Sequence, residues 1–421
     1  MKLSCLLGVL LFLLLQTSSQ LGLVQVIEGK SKKRSSVMQD PGPRPTGEQE
    51  KTASSITMFM CGDVMTGRGV VQVLPHPSDP TLYEPYIRDA RQYVEIAEKM
   101  NGPIPRPVDF SYIWGDATKE LERVAPDLRL INLETSITKS DDYWRGKGIN
   151  YRMHPKNITA VTAAGIDFCS LANNHVLDWG YSGLAETLES LRKMNIKSAG
   201  AGQNIEEAAS PALLEVSGKG RIVVFSFASV TSGVPRSWAA SKKGPGVNLL
   251  RDFSDKTVRK IREKVKAVKQ KGDVVVATIH WGSNWGYEVP QQQREFAHNL
   301  IDNAGVDVIH GHSSHHVKGI EVYKGKLVLY GCGDFLNDYE GIRGYEEFRD
   351  DLGLMYFVGI DIKTGDLIDL DMIPTQIKHF RVNRASRSDV LWLRERLNRE
   401  CKMLGTRVEL YKHDTFRLRW N

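Results

Sequence analysis

The feature that most constrains this chain is a cluster of histidines near residue 310. Four of its eleven histidines lie within seven residues, directly after the short apolar run 306–309: His310, His312, His315 and His316. A single buried histidine is usually a hydrogen-bonded core residue, but four at the end of a strand favour metal ligation, because imidazole commonly binds zinc, iron and manganese. The sequence contains no C-x-x-C pair, so a closed structural zinc site is not indicated. The remaining ligands must come from elsewhere in the chain.

The first 55 residues carry targeting and linker signals. Residues 1–19 combine Lys2, an apolar run over 6–15 and small residues at 17–19, which predicts a signal peptide. The run is shorter than the roughly 20 residues that span a bilayer. We therefore expect cleavage and a secreted or extracytoplasmic chain, with an uncleaved anchor as the alternative. Residues 20–55 are polar and rich in Lys, Pro, Gly and Ser, which predicts a disordered linker.

The charge pattern excludes one class of partner. The formal charge of +6 is spread over 56 basic and 50 acidic residues, so a nucleic-acid-binding stripe is not indicated and we expect no nucleic-acid partner. The segment 255–271 predicts a helix that carries eight Lys or Arg residues. Such a run is typical of a solvated helix face.

Polar side chains follow five predicted strands. In chain order, the strands end on Asp63, on Glu134, on Asn174 with His175, on His280, and on His312 with His315. Because the carboxyl ends of parallel strands meet at one edge, a mostly parallel α/β sheet would bring these groups together. Carboxylate, amide and imidazole ligands suit manganese, iron or zinc, and a carboxylate can bridge two ions about 3.5–4 Å apart. Such ions lower the pKa of bound water, which favours hydrolysis as the chemistry.

Five sequence blocks resemble a known family. They are GDVMTGR (62–68), NLETSIT (132–138), LANNHVLDWG (171–180), HWG (280–282) and HGHSSHHVKGIEVYKGKLVLYGCGDF (310–335). Together they resemble the CapA, or poly-γ-glutamate capsule-synthesis, family of the calcineurin-like metallophosphoesterase superfamily. The resemblance implies an α/β fold, a four-layer α/β/β/α sandwich, over residues 56–376. We expect residues 377–421 to form a helical extension packed on that domain.

The resemblance also implies roles for individual residues. Asp63 and His315 match ligands of a first metal, Glu134 matches the bridging carboxylate, and Asn174, His280 and His312 match ligands of a second metal. The cofactor would be one or two divalent ions of manganese, iron or zinc. His175 would be placed to protonate a leaving oxygen or to stabilise the transition state. Arg68 would either hold an anionic substrate group or form a salt bridge that fixes its loop.

Two departures from the superfamily pattern affect the first metal. Asp63 is followed by Val64 and Met65, where the superfamily has Asp-x-His. Two residues separate His312 from His315, where it has one. The first metal would then lack an imidazole and bind more weakly. His310 or Asp178 would substitute for that ligand or orient the others, whereas His316 is expected to be a surface or packing residue.

The resemblance leads to two functional hypotheses. The first is a secreted metal-dependent hydrolase of phosphoester or amide-type bonds, linked to synthesis, export or trimming of poly-γ-glutamate or a similar anionic polymer. Its partners would be that polymer or a small-molecule substrate, and membrane-associated synthesis machinery. The alternative is a non-catalytic polymer-binding or assembly protein whose metal site has decayed, an interpretation favoured by the missing histidine after Asp63.

Overall fold

Residues 55–421, the part of the chain that this computed structural model describes, contain both helices and strands. The predicted signal peptide, and the predicted linker up to residue 54, lie outside the described residues. The helices of the described part are α1 (Arg68–Val73), α2 (Arg91–Asn101), α3 (Asp116–Val124), α4 (Thr159–Thr162), α5 (Gly180–Lys193), α6 (Ile205–Ala209), α7 (Asp255–Val268), α8 (Gln291–Ala304) and α9 (Arg387–Cys401). Within residues 55–421, no helix is both long and apolar enough to cross a membrane.

The strands of the same part fall into two large sheets and two small ribbons. In chain order they are β1 (Ser55–Val64), β2 (Leu128–Leu133), β3 (Ser136–Ile137), β4 (Arg152–Met153), β5 (Phe168–Ser170), β6 (Lys197–Ala199), β7 (Ala201–Gly202), β8 (Ala212–Val216), β9 (Gly220–Ser229), β10 (Gly246–Val247), β11 (Leu249–Leu250), β12 (Asp273–His280), β13 (Val308–His312), β14 (Ile320–Tyr323), β15 (Lys326–Leu329), β16 (Asp334–Leu336), β17 (Leu352–Asp361), β18 (Leu367–Ile377), β19 (Val382–Arg384), β20 (Thr406–Leu410) and β21 (Phe416–Trp420). Sheet 1 has the order β20-β21-β18-β17-β1-β2-β5-β6, with β16 beside β1 and β19 beside β18. Sheet 2 has the order β11-β9-β12-β13-β15-β14, with β8 beside β9.

The apolar side chains of the central strands alternate between two cores. On β1, Met58 packs in a cluster that both sheets share, while its neighbour Phe59 packs in a second cluster with residues of α1, α2, α3 and α5. On β12, Val276 faces the shared cluster and Val275 faces a third cluster that includes α7 and α8. Because both faces of each sheet are apolar, each must be covered on both sides. The result is a four-layer α/β/β/α sandwich, and the predicted fold class is confirmed.

The five predicted strands all form, but they do not share one sheet. β1, β2 and β5 are parallel neighbours in sheet 1, whereas β12 and β13 are parallel neighbours in sheet 2. The expectation of a single sheet edge is therefore corrected. A direct contact joins the sheets near these strand ends, because His310 on β13 bonds through Nε2 to the carbonyl oxygen of Cys61 on β1, at 2.7 Å.

The C-terminal segment 377–421 contains more than the predicted helix. It also supplies β19, β20 and β21, and β21 pairs with β18, so the segment extends sheet 1. Alternating apolar residues in TRVEL (406–410) and FRLRW (416–420) are typical of strands with one buried face. α9 packs on the core between the sheets through Val390, Leu393 and Leu397.

One side chain of α9 also satisfies the free edge of β20. Asn398 donates from Nδ2 to the Val408 carbonyl (3.0 Å) and accepts from the Val408 amide at Oδ1 (2.7 Å). We expect Asn398→Ala to lower the free energy of unfolding by about 1–2 kcal/mol, because two backbone groups lose their partner. Asn303→Ala on α8 is the matched control, since Asn303 is exposed and its side chain bonds to Asn299 on the same helix. Chemical denaturation of both variants tests this, and equal stability of the two would contradict it.

Candidate metal and catalytic site

Polar side chains from the strand ends of both sheets meet in one buried cluster. Asp63 lies at the end of β1, Glu134 follows β2, Asn174 and His175 lie in the turn between β5 and α5, and His280 and His312 end β12 and β13. Of these six residues, only Asn174 is more than slightly exposed. The stacking of two sheets thus brings together groups that are more than 240 residues apart in sequence.

Three of the predicted ligands form a compact triad. One ligand atom each from Asp63, His280 and His312 lies within 4.8 Å of the other two. The Nδ1 atoms of the two imidazoles are 2.7 Å apart, and His280 Nε2 lies 3.0 Å from Oδ1 of Asn174. Burial lowers the pKa of both histidines well below its usual value, so both are neutral at pH 7. Neutral imidazole is the form that binds metals.

Glu134 lies between this triad and His175. Its Oε1 is 3.7 Å from His280 Nε2 and 3.8 Å from His175 Nε2. Burial and the charges of Asp63 and Asp334 raise the pKa of Glu134 well above its usual value. A cation at this place would relieve that repulsion, and the bridging role of Glu134 stays a prediction.

Asp334 is a site residue that the sequence analysis did not select. It begins β16, a parallel neighbour of β1, and is paired in register with Asp63. His315 Nδ1 lies 3.0 and 3.1 Å from its two carboxylate oxygens. Burial, and then the charge of Asp334, raise the pKa of Asp63 to about 7. His315 therefore lies at the site but faces Asp334, outside the triad.

A close approach of two backbones makes this pairing possible. The Asp63 amide donates to the Gly333 carbonyl at 2.9 Å. A Cβ atom on Gly62 would lie 1.7 Å from that carbonyl oxygen. Only glycine fits at residue 62, so the glycine of the GDVMTGR block is what lets β1 and the chain before β16 bring their carboxylates together.

His175 is held by three neighbours. Its Nδ1 lies 2.6 Å from Asp178 Oδ2 and 2.9 Å from Lys147 Nζ, and its ring stacks on Tyr151 with centroids 4.0 Å apart. Lys147 also forms an ion pair with Asp178 (Nζ–Oδ1 2.6 Å). Burial lowers the pKa of His175 to about 4. Its Nε2 is thus directed at Glu134 by a fixed framework.

Asp178 fixes the loop that covers His175. It is fully buried, and its carboxylate accepts from the Tyr151 amide at 2.6 Å. Its backbone carbonyl accepts from the Trp144 amide (2.7 Å) and from Asn150 Nδ2 (3.1 Å). Asp178 was predicted to substitute for a metal ligand or to orient the others; in the structure it orients His175. Lys147 was missed because a single lysine in a polar loop carries no distinguishing pattern.

Arg68 is occupied by the protein itself. Its guanidinium forms a buried ion pair with Asp338 and another with Glu84 (NH1–Oε1 3.1 Å), and it donates to the Tyr93 hydroxyl at 2.8 Å. The side chain is 3% exposed. Of its two predicted roles, the structure favours the salt bridge that fixes the loop.

The other two histidines of the cluster are structural. His310 is completely buried and joins the two sheets. His316 is 1% exposed and packs against the rings of Tyr287 and Phe348. His310 was expected to support other residues and His316 to be a surface or packing residue, and their positions agree with this.

The donor set fits a divalent cation. It combines carboxylate, amide and imidazole ligands, and manganese, iron and zinc accept such mixtures. His312 Nε2, within the site, is buried without a hydrogen-bond partner among the described residues, as are His310 Nδ1 and His316 Nε2 outside it. A buried polar atom of this kind is costly unless something else binds it. One ion could be held by Asp63, Glu134, Asn174, His280 and His312, and the pair formed by Asp334 and His315 lies beside them.

Comparisons with known proteins agree with the sequence blocks. The family model described as "Bacterial capsule synthesis protein PGA_cap" matches residues 57–339. The chain is 48% identical over 354 residues to a "Probable polyglutamine synthesis accessory protein" of Mycobacterium tuberculosis, covering 84% of this chain and 93% of that protein. It is 24% identical over 324 residues to the "Capsule biosynthesis protein CapA" of Bacillus anthracis, covering 77% of this chain and 68% of that protein. It is 27% identical over 296 residues to the "PGA biosynthesis protein CapA" of Bacillus subtilis, covering 70% of this chain and 66% of that protein.

Proposed function

The chain belongs to the bacterial capsule synthesis protein PGA_cap family, and from that premise we propose that it is an accessory protein of polyglutamate or similar anionic polymer synthesis that works as a metal-dependent hydrolase. The bond would be a phosphoester or an amide-type bond. The support for a polymer of this kind is that one relative is named a polyglutamine synthesis accessory protein and two are named capsule or PGA biosynthesis proteins. The observation that carries the hydrolase is the triad of Asp63, His280 and His312 beside Glu134 and His175.

The residues of the site divide the chemistry between them. A bound divalent cation would supply a Lewis acid and would lower the pKa of water. Asp63, Glu134, Asn174, His280 and His312 would hold that ion. Because all of these groups except Asn174 are buried, and all lie at or near the ends of strands, they need little reorganisation during the reaction.

His175 handles the proton in this proposal. Asp178 and Lys147 occupy the region of Nδ1, so Nε2, on the side of Glu134, is the atom that exchanges a proton with the reacting oxygen. The stack on Tyr151 prevents the ring from turning away. A positioned acid or base of this kind contributes about 10²–10⁴-fold to a rate.

Metal content tests the proposal most directly. After reconstitution with manganese, iron or zinc, the purified wild-type chain should retain at least one ion per chain by elemental analysis. His280→Ala should lower that content, because it removes an imidazole that contacts both His312 and Asn174.

His413→Ala is the matched control, because His413 is exposed on the C-terminal segment. It should retain the wild-type metal content. Wild-type content near zero after reconstitution, or an equal loss in both variants, would reject the metal site. A chain that binds metal and polymer but hydrolyses neither phosphoesters nor γ-glutamyl peptides would instead be the polymer-binding protein of the alternative hypothesis.

We place this activity outside the cytoplasm, next to membrane-associated synthesis machinery. The support is the apolar run over residues 6–15 with small residues at 17–19. The N-terminal sequence of the protein recovered from its producing cells tests this placement. An intact N-terminus on a cytoplasmic protein would contradict both the cleaved signal peptide and the uncleaved anchor.

A further inference from the structure

The outer surface of α7 carries an unusual density of positive charge. The helix has six Lys or Arg residues and two acidic ones, a formal charge of +4, against +6 for the whole chain. Five of the six are exposed, and we call them the α7 cationic face: Lys256, Arg259, Lys260, Lys264 and Lys266. The opposite face of the helix packs against the core through Val258, Ile261 and Val265. The helix therefore presents its cations to the outside.

Within residues 55–421, none of the five forms an ion pair, although the helix contains Glu263. Some exposed cations of other helices are paired. Lys193 contacts Glu189 on α5 (2.8 Å), and Arg399 contacts Glu395 on α9 (3.7 Å). The α7 cationic face is thus a group of five exposed cations on one helix that lack such partners within residues 55–421.

The spacing of these residues concentrates their charge. Lys256, Lys260 and Lys264 recur every fourth residue, so they form one row along the helix. Like charges at this spacing destabilise a helix, whereas a Glu four residues from a Lys stabilises it. α7 thus has an arrangement that is unfavourable in the isolated chain and becomes favourable when an anion lies along the row.

The start of α7 lies close to the metal and catalytic site. Phe253, just before the helix, contacts the ring of Trp281, with centroids 6.0 Å apart, and Trp281 follows His280. α7 connects β11 and β12, which are both parallel to β9, so it runs back from the carboxyl ends of these strands to their amino ends. Its 14 residues span about 21 Å. The cationic face thus extends from the neighbourhood of the site along the outside of the sandwich.

From this charge, pairing and placement we propose that the α7 cationic face binds a flexible polyanion, a polyglutamate chain, and holds it along the helix beside the site. The choice of polyglutamate rests on the proposed function. Carboxylates on a flexible chain can adapt to the row, and each contact releases counterions from the polymer, so binding should weaken as salt increases.

Fluorescence anisotropy of labelled poly-γ-glutamate, titrated with the purified whole chain in EDTA over a range of salt, tests this inference. Lys256→Gln, Lys260→Gln and Lys264→Gln in one variant should raise Kd about 10-fold or more at low salt and make the salt dependence shallower. The substituted residues are exposed, so circular dichroism should show an unchanged fold.

The matched control removes three positive charges elsewhere: Lys193→Gln, Arg399→Gln and Arg407→Gln, each from an exposed ion pair. It should bind within about twofold of wild type, since Debye screening limits the effect of distant charges. Equal weakening in both variants, or none in either, would overturn the inference. The inference would also be overturned if the α7 variant bound poly-γ-glutamate as wild type does but no longer bound anionic phospholipid vesicles. That result would indicate that the face binds a membrane.

These outcomes are separable from failure of the proposed hydrolase. Binding is measured in EDTA, so it does not require metal or turnover. If the wild-type chain hydrolyses no substrate but binds the polymer, and the α7 substitutions weaken that binding, this inference stands and the proposed hydrolase activity is rejected.

Discussion

Replacing His175 by glutamine should lower kcat by about 10²–10⁴-fold, because the substitution removes the group placed to move a proton at the reacting oxygen. KM and metal content should change little, since His175 is not among the triad of ligand atoms. Glutamine keeps much of the volume next to Tyr151, so the fold should survive. Turnover of p-nitrophenyl phosphate, bis-p-nitrophenyl phosphate and γ-glutamyl peptides with added manganese, iron or zinc gives the measurement.

Asp63→Asn gives the contrasting result that makes this test specific. It should lower metal content as well as turnover, because Asp63 supplies a carboxylate oxygen to the triad. His316→Gln is the histidine control outside the site, and it should keep kcat, since His316 packs among aromatic rings. Wild-type turnover in His175→Gln, with metal bound, would show that His175 is not the proton-transfer group.

The second large effect is on stability. Arg68→Met should lower the free energy of unfolding by about 3–5 kcal/mol, because it leaves the carboxylates of Asp338 and Glu84 buried without their cation. The loop that follows β1 should loosen as well, since Asp338 also accepts from the Gly69 amide at 2.8 Å. Thermal and denaturant unfolding of the metal-free chain measures the loss without interference from metal binding.

Two further variants identify the cause. Adding Asp338→Asn to Arg68→Met should recover part of the stability, because one uncompensated charge disappears; a double-mutant cycle gives the coupling. Arg407→Met, in the exposed pair with Glu409, should leave Tm near that of wild type. Unchanged stability in Arg68→Met, with a raised KM for an anionic substrate, would instead support the substrate-binding role.

Local patterns predicted most of the elements of this fold. The basic helix expected over 255–271 is α7, at Asp255–Val268. The five strands that end on polar residues all form. What the sequence analysis missed was non-local: which strands share a sheet, and that the segment after residue 377 adds strands to sheet 1. Strand pairing depends on partners far away in sequence, and no local periodicity records them.

The site shows the same division. Six site residues were predicted because a polar residue at the end of an apolar strand is a local pattern: Asp63, Glu134, Asn174, His175, His280 and His312. Asp334 and Lys147 were not, since their importance arises only from what lies opposite them. Asp334 is paired with Asp63 across two strands, and Lys147 reaches His175 from a loop.

Apolar runs along the chain were thus enough to predict most of the strands and helices, and the residues at the strand ends were enough to predict the chemical character of the site. The four layers were implied by the family resemblance. How the site residues combine depended on the packing of the two sheets. The stacking of two sheets brought Asp63 of β1 to the imidazoles of β12 and β13, and the resulting triad does not include His315. Arg68 was enclosed between the carboxylates of Glu84 and Asp338. The physical reason is that burial and pairing depend on distances across the fold, whereas a sequence pattern specifies only neighbours along the chain.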